Sequence, residues 1–394
     1  MLFSNSSFPS LLLMMLVVAG CNPSSEIDVG KNTTVPEEAG TNSAIVVRSD
    51  WPLFRGDTNS SGVSQGSVPE SPELLWTFTV EGGAFESTAA IVDGIVYVGD
   101  LDGTFYAFQL SDGQNLWKFK TEDQVGFTAS AAVQGGQVYI GDMDGRFYCL
   151  DALSGELIWS FLAGAEINSS ANFYQGNVLV GSQDATLYCL DAASGKLVWK
   201  HAIEDQIRCA PTVVENRAFL VGCDSKLHLV DLDRGAHESA VGIDSPSGTT
   251  PAVHGDFAYF GTHGGTFYCI DWKKGEVAWT YRDSDGQQSY RSSAAVNQHA
   301  VIVGGRSRRV YAFDPRTGET QWVFPTQQSV DSSPVIVGKR VFVGSSDGRL
   351  YAIDLETGKS DWQFEAGGSI VASPAIANGR VVIANDEGIV FCLG

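Results

Sequence analysis

Eight positions, each just ahead of a Ser-Ser-Pro-like segment and 40 to 43 residues from the next, hold the candidate chemistry of this chain. They are Glu86, Phe127, Asn168, Arg208, Gly248, Arg291, Asp331 and Val371. The two arginines supply planar forks suited to a carboxylate or phosphate. Glu86 and Asp331 can offset those charges or accept a proton, and Tyr290, next to Arg291, offers a stacking face. The simpler reading of the same set is a ring of loop residues that are solvated or paired with one another.

Other reactive residue types carry less. The Asp-x-Asp-Gly strings Asp100 to Gly103 and Asp142 to Gly145 resemble calcium loops, but they lack the later acidic ligands and fall where hairpins need a turn. Six histidines show no paired metal-ligand spacing, and no phosphate loop occurs. No metal site and no catalytic residue are expected. Of seven cysteines, Cys149, Cys189, Cys269 and Cys392 occupy the place that Ala312 and Ala352 hold, which reads as buried thiols on separate units. Cys209 and Cys223 fall on neighbouring strands, and the sequence leaves open whether they pair in an oxidising compartment.

These positions must be carried by a repeat. Trp76, Trp117, Trp159, Trp199, Ser239, Trp279, Trp322 and Trp362 mark the same place in successive units, 40 to 43 residues apart. Each unit has three segments of alternating Val, Ile, Phe and Tyr and a fourth that bears the Trp, joined by Asp-Gly turns. The predicted fold is all-β: an eight-bladed β-propeller of four-stranded blades over residues 71–394. The last unit lacks a Trp strand, and the first Trp strand, around Trp76, lacks a unit of its own. Joining the two closes the ring with strands from both ends of the chain.

Composition agrees with many short strands and tight turns: 44 glycines, 18% charged and 11% aromatic residues in 394. A formal charge of −21 argues against a nucleic-acid partner, since little in the chain would neutralise phosphates. The apolar run Leu11 to Val18 is too short to span a membrane. The string Leu16 to Cys21 resembles a bacterial lipobox, so residues 1–21 are expected to be a lipoprotein signal with Cys21 the lipidated residue. Residues 22–70 then form a flexible tether and a leader strap, in which Trp51-Pro52-Leu53-Phe54-Arg55-Gly56 is expected to pack across the propeller.

The motif Ala352-Ile353-Asp354 through Gly358 to Trp362 resembles the pyrroloquinoline-quinone (PQQ) repeat, from about Ser71 to Gly394. The resemblance implies that each Trp docks on the neighbouring blade, and Ser239 then implies a looser outer edge on the fourth. Within that family, a single exported eight-bladed domain is most similar to the assembly-factor lipoproteins of the β-barrel assembly machinery, scaffolds that bind no quinone. By that likeness the chain is an exported, non-enzymatic outer-membrane or envelope lipoprotein with envelope protein partners, and Arg208 is the best match to a partner-contact arginine. The same repeat also occurs in quinoprotein dehydrogenases that hold PQQ over calcium, and a ligand-sensing module is a third reading. PQQ and calcium are disfavoured: no two cysteines are adjacent, and Glu86, Asn168 and Asp331 belong to the first, third and seventh units.

Overall fold

A computed structural model describes residues 49–283 and 288–394. Cys21, the signal segment and the tether up to residue 48 lie outside the described residues.

Among the described residues every regular element is a strand, and the strands form eight sheets, antiparallel except where Val63–Ser64 adds to one of them in parallel. Blades 1 to 7 begin at Ala90, Ala132, Asn172, Thr212, Ala252, Ala295 and Val335, and each runs outward through four strands in chain order. Blade 8 takes its inner three strands from Ala375–Ala377, Arg380–Ala384 and Ile389–Leu393, and its outer strand, Leu74–Thr79, from the other end of the propeller. The inner strand of blade 1 touches that of blade 8, which completes the ring. The second and third strands of each blade are buried on both faces, as Phe105 to Phe108 illustrate, because each sheet is sandwiched between two neighbours.

The outer strands are largely exposed except at the Trp and at the residue two further on, and they carry exposed aliphatic residues such as Leu74, Leu157 and Val198. Each strand slips register just before it, a bulge that turns the indole toward the next blade. There Nε1 donates to a turn carbonyl: Trp76 to Leu110 at 2.9 Å, Trp117 to Ala152, Trp159 to Ala192 and Trp279 to Pro315 at 3.0 Å, and Trp322 to Leu355 at 2.9 Å. The side chains of Trp76, Trp117, Trp159, Trp199, Trp279 and Trp322 each cover a turn glycine. A Cβ on Gly113, Gly155, Gly195, Gly235, Gly318 or Gly358 would lie 2.5 to 2.6 Å from a Trp atom. These glycines also have positive φ, so sterics and backbone both exclude a side chain. Trp199 packs on Gly235 in this way, and Trp362 stacks beside Phe364.

Blade 4 departs from this pattern: its outer edge opens into a cleft lined by Ser239 and Gly275, and the joint is filled further in by a different residue. The turn residue of blade 5, a small or aliphatic residue elsewhere, is Trp272, which is buried and stands edge-on to Phe219 at 5.3 Å. Its Nε1 donates to the Gly255 carbonyl at 3.1 Å, and Arg217 and Lys273 lie 5.7 and 5.3 Å from its ring. An indole thus enters this joint from the opposite side, while the space over Gly275 that a Trp at 239 would cover stays open.

The leader strap forms the floor of the ring. Trp51 pairs with Ile91 of blade 1, and the Pro52 carbonyl accepts from Val133 of blade 2. The Thr58 carbonyl accepts from Asn172 Nδ2 of blade 3 and from Val213 N of blade 4. Asn59, Ser61 and Gly62 carbonyls accept from Val253, Val296 and Ile336 of blades 5, 6 and 7. Val63–Ser64 then lies parallel to the inner strand of blade 7, and Ser64 Oγ donates to Ile376 of blade 8. Arg55 is wholly buried in this floor, where Nη2 donates to the Ala294 and Pro334 carbonyls while Nε and Nη1 have no partner. Burial pulls its pKa down to about 9, against the opposing field of Asp57.

Candidate functional site

The axis carries a cavity of about 160 Å³, lined in each blade by two residues spaced i and i+2 on the segment entering the inner strand. The first set is Glu86, Thr128, Asn168, Arg208, Gly248, Arg291, Asp331 and Val371. The second is Thr88, Ser130, Ser170, Ala210, Thr250, Ser293, Ser333 and Ser373. Extended chain presents alternate residues to one side, so the residue between or before these must face the blades.

That alternation corrects two sequence assignments. Phe127 does not line the axis: its side chain is fully buried against Gly99 and Phe105, and Thr128 holds the axial position. Tyr290 likewise offers no stacking face beside Arg291. It is core, packed edge-on to Phe267 at 5.7 Å and Tyr311 at 6.5 Å, and burial pushes its phenol well above the ordinary range. Glu86, Asn168, Arg208, Arg291 and Asp331 do share the cavity wall.

The second set makes a belt. Thr88 N donates to Ser130 Oγ at 2.9 Å, and Ser130 N to Ser170 Oγ at 2.9 Å. Ala210 N, Thr250 N and Ser293 N donate to the hydroxyls of Thr250, Ser293 and Ser333 at 2.9 Å. Ser333 N and Ser373 N reach Ser373 Oγ and Thr88 Oγ1 at 3.0 Å and close the circle. The one interruption lies between Ser170 and Ala210, which has no hydroxyl. In every link the hydroxyl oxygen accepts, which leaves its proton to donate.

A further ring surrounds the mouth, contributed by the turn after the second strand of each blade: Leu101, Met143, Gln183, Cys223, His263, Arg306, Ser346 and Asp386. Each donates its backbone N–H to the carbonyl two residues before an axial residue, as in Gln183 to Glu166 at 2.9 Å and His263 to Pro246 at 2.9 Å. Gln183 bridges two axial residues, donating to Asn168 Oδ1 at 3.0 Å and accepting from Arg208 Nη2 at 3.3 Å. Arg208 also holds Gln206 Oε1 through Nε and Nη2 at 3.0 and 2.7 Å. Arg306 grips both oxygens of Asp331 at 3.0 and 2.6 Å. Gln183, His263 and Arg306 were not identified from sequence, although their fixed place in the repeat was available as a signal.

A hard cation under a quinone does not fit this wall. Both oxygens of Asp331 are engaged by Arg306, Asn168 Oδ1 accepts from Gln183, and Glu86 stands on a different blade from either. Among the described residues Cys209 and Cys223 carry free thiols, and burial pushes Cys149, Cys189, Cys209, Cys269 and Cys392 up to about 12, which holds them as thiols.

An eight-bladed ring whose blades dock through Trp on turn glycines, with a strapped floor and a polar axial mouth, defines a propeller of PQQ-like repeats. The chain belongs to the family described as outer membrane protein assembly factor BamB, whose sequence profile matches residues 148–306, 238–328 and 306–393. No curated protein matches. Among solved structures, BamB from Moraxella catarrhalis is 20% identical, with a TM-score of 0.70 over 82% of this chain and 97% of that one. The quinohemoprotein alcohol dehydrogenase from Comamonas testosteroni is 16% identical, with a TM-score of 0.74 over 87% and 80%. A computationally designed protein, Ika8, is 19% identical, with a TM-score of 0.72 over 81% and 99%. At these identities the likeness concerns the fold.

Proposed function

We propose that this chain is a non-enzymatic scaffold of the bacterial envelope, anchored through a lipid on Cys21, that binds protein partners of outer-membrane assembly through the loops around the axial mouth. Membership of the assembly-factor family supports the reading. The observation that carries it to a surface is Arg208: it is exposed at the mouth, yet held in place by two glutamines rather than neutralised by a carboxylate. An arginine pre-ordered by neutral partners retains its charge for an incoming carboxylate or carbonyl, and ordered arginines are common interface hot spots. Arg291, on the far side of Gly248, is the second contact.

The test is a photo-cross-linking residue placed at Leu101 or Met143, beside the mouth, in the full chain expressed in its own envelope. Recovery of an outer-membrane barrel or an assembly component, reduced by Arg208→Ala and Arg291→Ala, is the expected result. A cross-link pattern without any envelope protein, or one indifferent to both substitutions, overturns the reading.

A further inference from the structure

Glycine at 248 is not demanded by the backbone, because its φ lies outside the left-handed region. What glycine provides there is space. The atoms nearest to a Cβ at this point would be Arg208 Cβ at 3.4 Å, Arg208 Cδ at 3.8 Å and His263 Nε2 at 3.9 Å, all ordinary contacts. The result is a notch in the axial wall at blade 5, with Arg208 on one flank, Arg291 on the other and His263 beside it.

The charge in this notch is not balanced locally. Arg208 is held only by Gln206 and Gln183, and Arg291 makes no hydrogen bond or ion pair among the described residues. The nearby carboxylate of Asp331 is taken up by a third arginine, Arg306. His263 senses the excess: after burial, the causes that disfavour its protonation are Arg291, Arg208 and Arg306. Although the chain carries a net charge of −21, His263 stands in the field of three arginines, of which only Arg306 is paired with an acid; Glu166 lies behind Gln183, on its far side from Arg208. Below it in the same cavity lie Thr250 and Ser293. Their oxygens accept the Ala210 and Thr250 N–H groups, and neither hydroxyl proton has an acceptor among the described residues. Glu86, the exposed carboxylate of the wall, stands on blade 1, across the axis.

We infer that this notch is a binding site for a small free oxyanion, a phosphate or a short carboxylate, clamped between the Arg208 and Arg291 guanidiniums and accepting hydrogen bonds from the hydroxyls of Thr250 and Ser293. Two guanidinium forks and converging hydroxyl donors match the planar or tetrahedral oxygens of such an anion, and a site near the axis is screened less than the outer surface. The inference shares Arg208 and Arg291 with the partner reading, but titration with a free anion needs no partner protein, so either can fail without the other.

The experiment is calorimetric titration of the full chain with inorganic phosphate and, separately, succinate, against chloride at equal ionic strength. One-site saturable binding of either anion is expected, and which one binds distinguishes phosphate from carboxylate. Arg291→Gln weakens it by about tenfold or more. Gly248→Leu, which fills the notch without removing charge, abolishes it, with circular dichroism confirming the fold. Should either variant not fold, the His263 ring resonances of the unaltered chain decide: saturating anion raises the pH at which they titrate. Heats no larger than those of chloride, an Arg291→Gln protein that binds as tightly as its parent, or an unmoved His263 titration overturns the site.

Discussion

Ser239 and Trp272 line one cleft at the joint of blades 4 and 5, and between them the direction of docking is reversed. At the other joints described above, an outer strand sends its indole forward onto the next blade. At this one the next blade sends Trp272 back, onto Phe219. Trp272→Ala is therefore expected to destabilise the protein by about 3 to 5 kcal/mol, as for a buried Trp elsewhere in the ring. Equilibrium denaturation in urea measures this; a loss below about 1 kcal/mol would show that the joint does not depend on the reversed indole.

The same exchange separates two otherwise equivalent glycines. Gly195 lies under Trp159, with 2.5 Å left for a Cβ, whereas Gly275 has no atom within 4 Å of that point. Both have positive φ, which Asn tolerates. Gly195→Asn is expected to cost about 2 kcal/mol or more and Gly275→Asn less than about 1 kcal/mol. Equal losses in thermal unfolding of the two variants would contradict the docking geometry.

Completing the hydroxyl belt should stabilise the ring. In Ala210→Ser, the new hydroxyl stands where Ser170 N can donate to it, as Ser130 N does to Ser170 Oγ at 2.9 Å. The expected gain is about 0.5 to 1.5 kcal/mol, read as an increased urea midpoint with unchanged slope. A destabilised variant would argue against the belt as a set of equivalent links.

Acid should weaken the joint of blades 3 and 4. His201 and His228 stand where other blades pair Phe with Tyr, as Phe161 does with Tyr188, and His237 packs against both imidazoles at 6.4 and 6.5 Å. Asp224 accepts from His228 at 2.8 Å, and Lys226 and Glu204 flank the cluster, paired with each other at 2.8 Å. Burial, chiefly, holds both His201 and His228 below their ordinary value of 6.5. The unfolded chain therefore takes up protons first, and stability falls as pH drops through 6.5 toward the folded-state values, then levels off. The double variant His201→Phe, His228→Tyr, which restores the repeat pair, should lose less stability over that window. Parallel pH profiles for the two proteins would refute the assignment.

The floor should be intolerant at Gly62. With φ at +68° and a Cβ position 2.0 Å from Arg55 Nη2, Gly62→Ala displaces a fully buried guanidinium. A loss of about 2 kcal/mol or more is expected in chemical denaturation. Parental stability would mean that Arg55 is not fixed by its two carbonyl contacts.

The repeat made the architecture legible: the Trp landmarks and Asp-Gly turns gave the blade boundaries, and the two incomplete end units gave the shared eighth blade. The wall of the site was less so. Phe127 and Tyr290 were placed on the axis because adjacency to a repeat landmark was read without the two-residue alternation of extended chain, which separates Thr128 from Phe127 and Arg291 from Tyr290. Gln183, His263 and Arg306 reach the mouth from a different turn of the blade; the repeat fixes that turn in every unit, but only the fold brings it beside the axial segment. Trp272 escaped notice because compensation between blades is a relation in space, not within one repeat.

The strap that meets all eight inner strands in chain order also works as a gauge. Repeat arrays readily gain or lose units, and the blades alone, each alike to its neighbours, would tolerate a ring of seven or nine. The stretch from Trp51 to Ser64 has one set of contacts per blade, so any other copy number would leave part of the floor without a blade or a blade without floor. Blade number in this protein is thereby recorded twice, once in the repeats and once in a single short peptide that must agree with them.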